Sequence, residues 1–294
     1  MSTSSIIDAS QLRLSLSAIA LGVCCFMATS LPLNYTVFLM YSLGYTHYLL
    51  AVHYSKRGIQ KAWSKAPAKT LLLMLLPLSF VPLFLNDAAI PGLVLYFGVH
   101  HAMSEVYFDS RHHSKRLRNV HFMALIGSYF AITGHHLTPW VDDMGWLLTV
   151  VMTPAFFIIN RKYDQHDLRS LIFTCPWIIL GPLVAIFGEF IFLDWRFLIN
   201  WHFLFWLSLP YLRKGMFTAK QKKVYWIQNI GLSALFFGLF YTVSSTRTLG
   251  FAGGLIATAW FGQLFLFWSY FHISWSFLVS GGNPQWLKSL FRVN

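Results

Sequence analysis

Apolar runs long enough to cross a lipid bilayer recur from one end of this chain to the other, and that repetition leaves few folds open. In hydrocarbon every backbone N–H and C=O must find its partner inside the protein, which a helix achieves within itself. Runs of spanning length lie at about 13–30, 34–54, 70–86, 89–108, 119–137, 145–160, 170–188, 192–210, 224–243 and 252–280. The pattern predicts an all-α, polytopic integral membrane protein of about ten transmembrane helices. The whole chain, 1–294, reads as one transmembrane helical domain, because the loops are short and no linker or repeat interrupts them. Pro77 and Pro82 are expected to kink the third run.

Composition supports this reading: 56% of residues are hydrophobic and only 11% are charged. A net charge of +12 raises nucleic acid as a partner. The cations form no basic domain, however, and nucleic acid is set aside. They fall in short clusters between apolar runs: Lys56 to Lys69, Arg111 to Arg118, Arg161 to Arg169, Arg213 to Lys223, and Lys288 with Arg292. With ten spans these all share one side, while Asp87, Asp142, Asp143 and Glu189 share the other, Arg247 being the exception. Basic loops stay in the cytoplasm, so both termini are expected there, and a bacterial inner membrane is the expected location. Cys24, Cys25 and Cys175 lie in apolar runs without metal-ligand spacing and read as small hydrophobes.

Histidines carry the chemistry. His47, His101, His202 and His272 each lie eight residues before a basic loop or a Gly/Pro stop, at Ser55, Asp109, Pro210 and Ser280. At the helical rise this places each imidazole roughly 12 Å inside the same face. Histidine within a membrane is costly, and several at one depth point to a buried metal site. Imidazole suits iron, copper, zinc and nickel, and a carboxylate can complete the shell. Glu105, one turn after His101 on the same face, is expected to ligate or to orient a histidine. His100 points about 100° away from His101 on the helix. His53 and His100, with His112, His113 and His121, are candidates for a second metal. His135 and His136 read as interfacial residues. Tyr45, Tyr48 and Asn200 are candidate hydrogen-bond donors around the site. The chain has no His-Glu-x-x-His, Gly-rich phosphate loop or Gly-x-Ser-x-Gly elbow, which removes support for hydrolase and nucleotide-driven chemistry.

The order His47, His101, His202, His272 on separate runs resembles the Brp/Blh family of β-carotene dioxygenases. Those are compact polytopic membrane proteins that cleave β-carotene to retinal and hold iron through histidines on separate helices. The stretch His100-His101-Ala102-Met103-Ser104-Glu105 is similar to the family's second site, where an acid follows a histidine by five positions. That match implies His100 as the ligand, whereas depth favours His101, and both stay open. Thr46-His47-Tyr48 replaces the family's Pro-His-Gly, Trp206 stands where a second histidine follows the third site, and Phe277 replaces an acid after His272.

The expected function is a histidine-ligated, non-haem iron oxidoreductase or oxygenase of the membrane. Its substrate would be a lipophilic small molecule, such as a carotenoid or lipid, reached from the surrounding membrane lipids. Glu105, Tyr45 and Tyr48 are the candidate catalytic residues, and His47, His53, His100, His101, Glu105, His202 and His272 the candidate ligands. Two alternatives belong to other classes: a haem b electron-transfer protein with histidines facing across helices, and a proton- or metal-coupled transporter using the same groups as a relay.

Overall fold

Uninterrupted apolar stretches with satisfied backbones become helices, and helices are the only regular structure among the described residues. A computed structural model of the chain describes residues 33–75, 89–109, 114–134, 139–166, 177–187, 195–207, 209–212, 217–245 and 264–276, with isolated positions besides. Of the positions named above, Cys24, Cys25, Pro77, Pro82, Asp87, Arg111, His112, His113, His135, His136, Arg169, Glu189, Arg213, Arg247, Phe277, Ser280, Lys288 and Arg292 lie outside them.

The helices in chain order are α1 (Leu33–Lys65), α2 (Pro67–Leu75), α3 (Ala89–Asp109), α4 (Lys115–Thr133) and α5 (Pro139–Ile159). A π turn, Asn160–Asp164, continues α5. There follow α6 (Trp177–Phe187), α7 (Trp195–Trp206), the short α8 (Leu209–Leu212) and α9 (Ala219–Ser245). A last helix, α10, covers 264–276.

Two helices are long and apolar enough to cross a membrane, Pro139–Asp164 and Ala219–Val243, with a shorter apolar helix at Trp177–Phe187. Both long helices expose large apolar side chains: Leu147, Val150 and Ile158 on one, Ile227, Ile230 and Leu235 on the other. Contiguous apolar surface of this kind marks a face made for lipid or for another protein. The described residues therefore carry two such spans where the sequence suggests about ten. Helices α1 and α3 are as long, but His47, His53, His100, His101 and Glu105, with several Tyr and Ser, lower their hydropathy.

The chain divides into two compact units, one built mainly on Val94–Trp195 and the other on Leu16–Leu93 with Arg196–Val279. In the first unit α4 packs against both α5 and α6. Small residues let the α4 and α5 backbones approach. A Cβ at Gly127 would stand 2.7 Å from the Thr149 nitrogen, and one at Gly145 would strike the Ala131 backbone. The core below them is Leu117, Ala124, Phe156, Leu171, Cys175 and Ile178. Cys175 is thus packed as a small hydrophobe. Ser114 caps α4 by accepting the Leu117 N–H at 3.2 Å.

In the second unit α9 packs along α1, and Ser233 of α9 meets Thr46 of α1 at 3.2 Å. Buried hydroxyls in both units turn back on their own helices. Ser104 donates to the His100 carbonyl at 3.0 Å, Thr133 to Tyr129 at 2.7 Å and Ser274 to Tyr270 at 2.9 Å. Such bonds let an apolar helix carry a polar side chain without leaving it unsatisfied.

Candidate metal centre

Helix α1 contributes His47, α7 contributes His202 and α10 contributes His272. Each is buried, with relative exposures of 6%, 1% and 7%. The Nε2 atoms of His47 and His272 are 3.0 Å apart and their rings are nearly perpendicular, at 72°. The His202 ring meets the His47 ring edge-on at 5.3 Å between centroids. All three belong to the second unit and form one group of buried histidines. Each can offer one ring nitrogen, and the three offered atoms lie within 4.8 Å of one another.

The donor set fits a first-row divalent cation. Two nitrogens bound at right angles to one ion, each about 2.1 Å away, stand about 3.0 Å apart. That matches the separation of the His47 and His272 nitrogens. Without an ion, one of those two nitrogens must carry a proton toward the other, since two lone pairs facing at that distance repel. An ion takes the place of that proton and uses both lone pairs.

The surroundings orient the rings. Tyr48, beside His47 in sequence, lays its ring against His272 at 5.1 Å and shares a 2.5 Å hydrogen bond with Ser269, three residues before His272. The Trp206 indole N–H donates to His202 Nε2 at 3.1 Å, and the Trp206 ring also packs on His47 at 5.3 Å. Tyr225 of α9 donates its hydroxyl to the Trp206 carbonyl at 2.7 Å, tying down the end of α7. Phe203 and Phe265 close the apolar side around Tyr48 and His47. Tyr45 packs on Phe236, Phe240 and Phe265 at 5.5–5.9 Å and meets Tyr48 at 6.4 Å.

The remaining candidates sit elsewhere. His101 and Glu105 form their own pair on α3, 3.5 Å apart and both fully buried. The His101 ring is stacked on Tyr129 at 4.6 Å, with Trp177 edge-on at 6.1 Å. His100, next to that pair on α3, is buried as well, at 2% exposure. His53 is exposed on α1 beside Tyr54. His121 is buried against Phe156, and Asn200 is buried on α7. Trp206 and Ser269 were not among the sequence-based candidates. Their signal was present in helical spacing, one turn after His202 and nearly one turn before His272.

Comparison of the chain with protein-family models, with curated proteins and with solved structures returns no match.

Proposed function

We propose that this chain is an integral membrane oxygenase in which His47, His202 and His272 hold one non-haem iron and act on a lipophilic substrate. The observation that carries the reading is the group of three buried histidines drawn from three helices of one unit. Iron(II) bound by neutral imidazoles supplies one-electron chemistry toward dioxygen. The protein's own residues do the rest. Tyr48, held by Ser269, presents a fixed phenol beside His272. Phe203, Phe265 and Tyr45 form an apolar wall that excludes water from that side. Glu105, the only carboxylate in the core among the described residues, sits one turn after His101 and holds it in place. Ten spans, with both termini cytoplasmic, would put the group within reach of substrates dissolved in the bilayer. The resemblance to β-carotene dioxygenases makes a carotenoid the first substrate to try.

Haem b fits less well. Two histidines on opposite faces of a haem place their nitrogens about 4.2 Å apart. His47 and His272, at 3.0 Å, leave no room for the macrocycle.

Metal analysis and a visible spectrum of the detergent-purified protein test the reading. About one iron per chain and no Soret band are expected. Absence of metal, or a haem spectrum, would overturn it. Expression in β-carotene-producing cells then tests the substrate: retinal is expected, and unchanged pigment rejects the carotenoid.

A further inference from the structure

The α5 helix does not end on a simple cap. Its last turn widens into a π turn at Asn160–Asp164, and Gln165 follows in the left-handed region at φ 53°. Gln165 donates its N–H to the Asn160 carbonyl at 2.6 Å. The Asn160 amide then clasps His166 from both sides, donating to its carbonyl at 2.8 Å and accepting its N–H at 3.3 Å. The chain is thereby reversed and held. π turns of this sort recur at binding sites because they displace side chains from the regular helical surface.

The reversal encloses an open cavity of about 320 Å³ with a divided lining. Arg161, Gln165 and His166 make its polar side, and Phe157, Leu168 and Leu171 its apolar side. Leu171 is anchored in the core, whereas Leu168 is exposed. The local charge is uncompensated. Asp164 is taken up by Ser114, whose N–H and hydroxyl both donate to it at 2.8 Å. No carboxylate pairs with Arg161 among the described residues. Arg116 and Lys162 gather over the Tyr163 ring at 5.0 and 5.3 Å, adding two more cations.

We infer that this cavity is a binding site for the headgroup of an anionic glycerophospholipid. The phosphate would be held by Arg161, whose planar fork matches phosphate oxygens, with Gln165 and His166 beside it. The glycerol and first acyl carbons would lie against Phe157, Leu168 and Leu171. Three features favour a lipid over a free anion: the apolar half of the lining, the exposed cations, and the position at the end of a helix long and apolar enough to span a membrane. Basic pockets at the cytoplasmic ends of such helices take anionic headgroups. The inference rests on the membrane placement proposed above and needs no iron, so metal content and lipid preference can fail separately.

Native mass spectrometry of the full chain in detergent, titrated with phosphatidylglycerol or phosphatidylcholine, tests it. Phosphatidylglycerol should bind about fivefold more tightly or better. Arg161→Gln should erase that preference. Leu168→Asp, at an exposed position that should not disturb folding, should erase it too. Lys222→Gln, with the same change of charge on α9, should keep it. Equal binding of the two lipids by the wild type would overturn the assignment. So would equal loss in Lys222→Gln, which signals general attraction, or full competition by millimolar inorganic phosphate, which signals a free-anion site.

Discussion

Two regions bury histidine in this molecule, and they solve the problem in opposite ways. On α3, His101 is paired with Glu105 and stacked on Tyr129, so imidazole and carboxylate answer each other. On α1, α7 and α10, His47, His202 and His272 meet other imidazoles, a phenol, an indole and a phenylalanine ring. The first arrangement sets one imidazole against one carboxylate. The second gathers several imidazole nitrogens, which is the kind of donor set a cation uses. Burial alone does not distinguish the two; the nature of the neighbours does.

The largest expected effect separates them directly. His272→Ala removes one proposed ligand and the 3.0 Å partner of His47 Nε2. Iron measured by elemental analysis should fall from about one per chain to background, while the unfolding midpoint of the metal-free protein shifts little. His101→Ala should do the reverse. Iron content should persist, but the buried Glu105 loses its His101 neighbour, at a cost of about 3 kcal/mol in denaturant unfolding. If His101→Ala loses iron and keeps its stability, the contrast between the regions collapses.

A smaller effect sharpens the same contrast. Replacing both members, His101→Leu with Glu105→Leu, removes the buried charges together. Buried pairs exchanged for apolar residues are often neutral or stabilising. The double variant should therefore recover most of the loss seen in His101→Ala, measured by the same unfolding experiment. A double variant as unstable as the single one would mean that Glu105 serves something other than His101.

Chelation probes the other region by linkage. An ion bound only by the folded protein, at a hundredfold excess over its dissociation constant, adds about 2.7 kcal/mol of stability. A chelator should lower the wild-type unfolding temperature accordingly and leave His202→Ala unmoved. Equal shifts in both proteins would place the stabilising metal elsewhere.

The all-α class and three members of the histidine group were legible before any coordinates, because depth can be counted along an unbroken helix. His47, His202 and His272 each lie a fixed number of residues from a recognisable end. The choice between His100 and His101 could not be read that way. Adjacent residues differ little in depth but face different neighbours, and only the packing of α3 shows that His101 is the one beside Glu105. The Glu105 pairing itself was signalled by the i, i+4 spacing. Trp206 stood out only as the residue in place of a family histidine, because an aromatic residue in an aromatic-rich helix looks like packing; its role depends on where the indole N–H points. The count of spans was harder for a different reason. A helix that carries a polar site loses hydropathy where it gains chemistry, so α1 and α3 look less like membrane helices than α5 and α9 do.

The smallest expected effect concerns that indole. A neutral imidazole has one N–H and one lone pair. In this structure Trp206 donates to Nε2 of His202, which makes Nε2 the acceptor and puts the ring proton on Nδ1. A metal arriving at Nε2 must therefore displace the indole, and the net value of one such hydrogen bond is about 1 kcal/mol. Trp206→Phe keeps an aromatic ring against His47 but removes the competitor, so metal affinity should rise about fivefold. A competition titration against a coloured chelator would measure it. The sign is the informative part. Tighter binding identifies Nε2 as the ligating atom, as the 3.0 Å approach of His47 and His272 through their own Nε2 atoms suggests. Weaker binding would mean that Trp206 holds the ring so that Nδ1 faces the ion, and the α7 histidine would then present a different edge from its two neighbours.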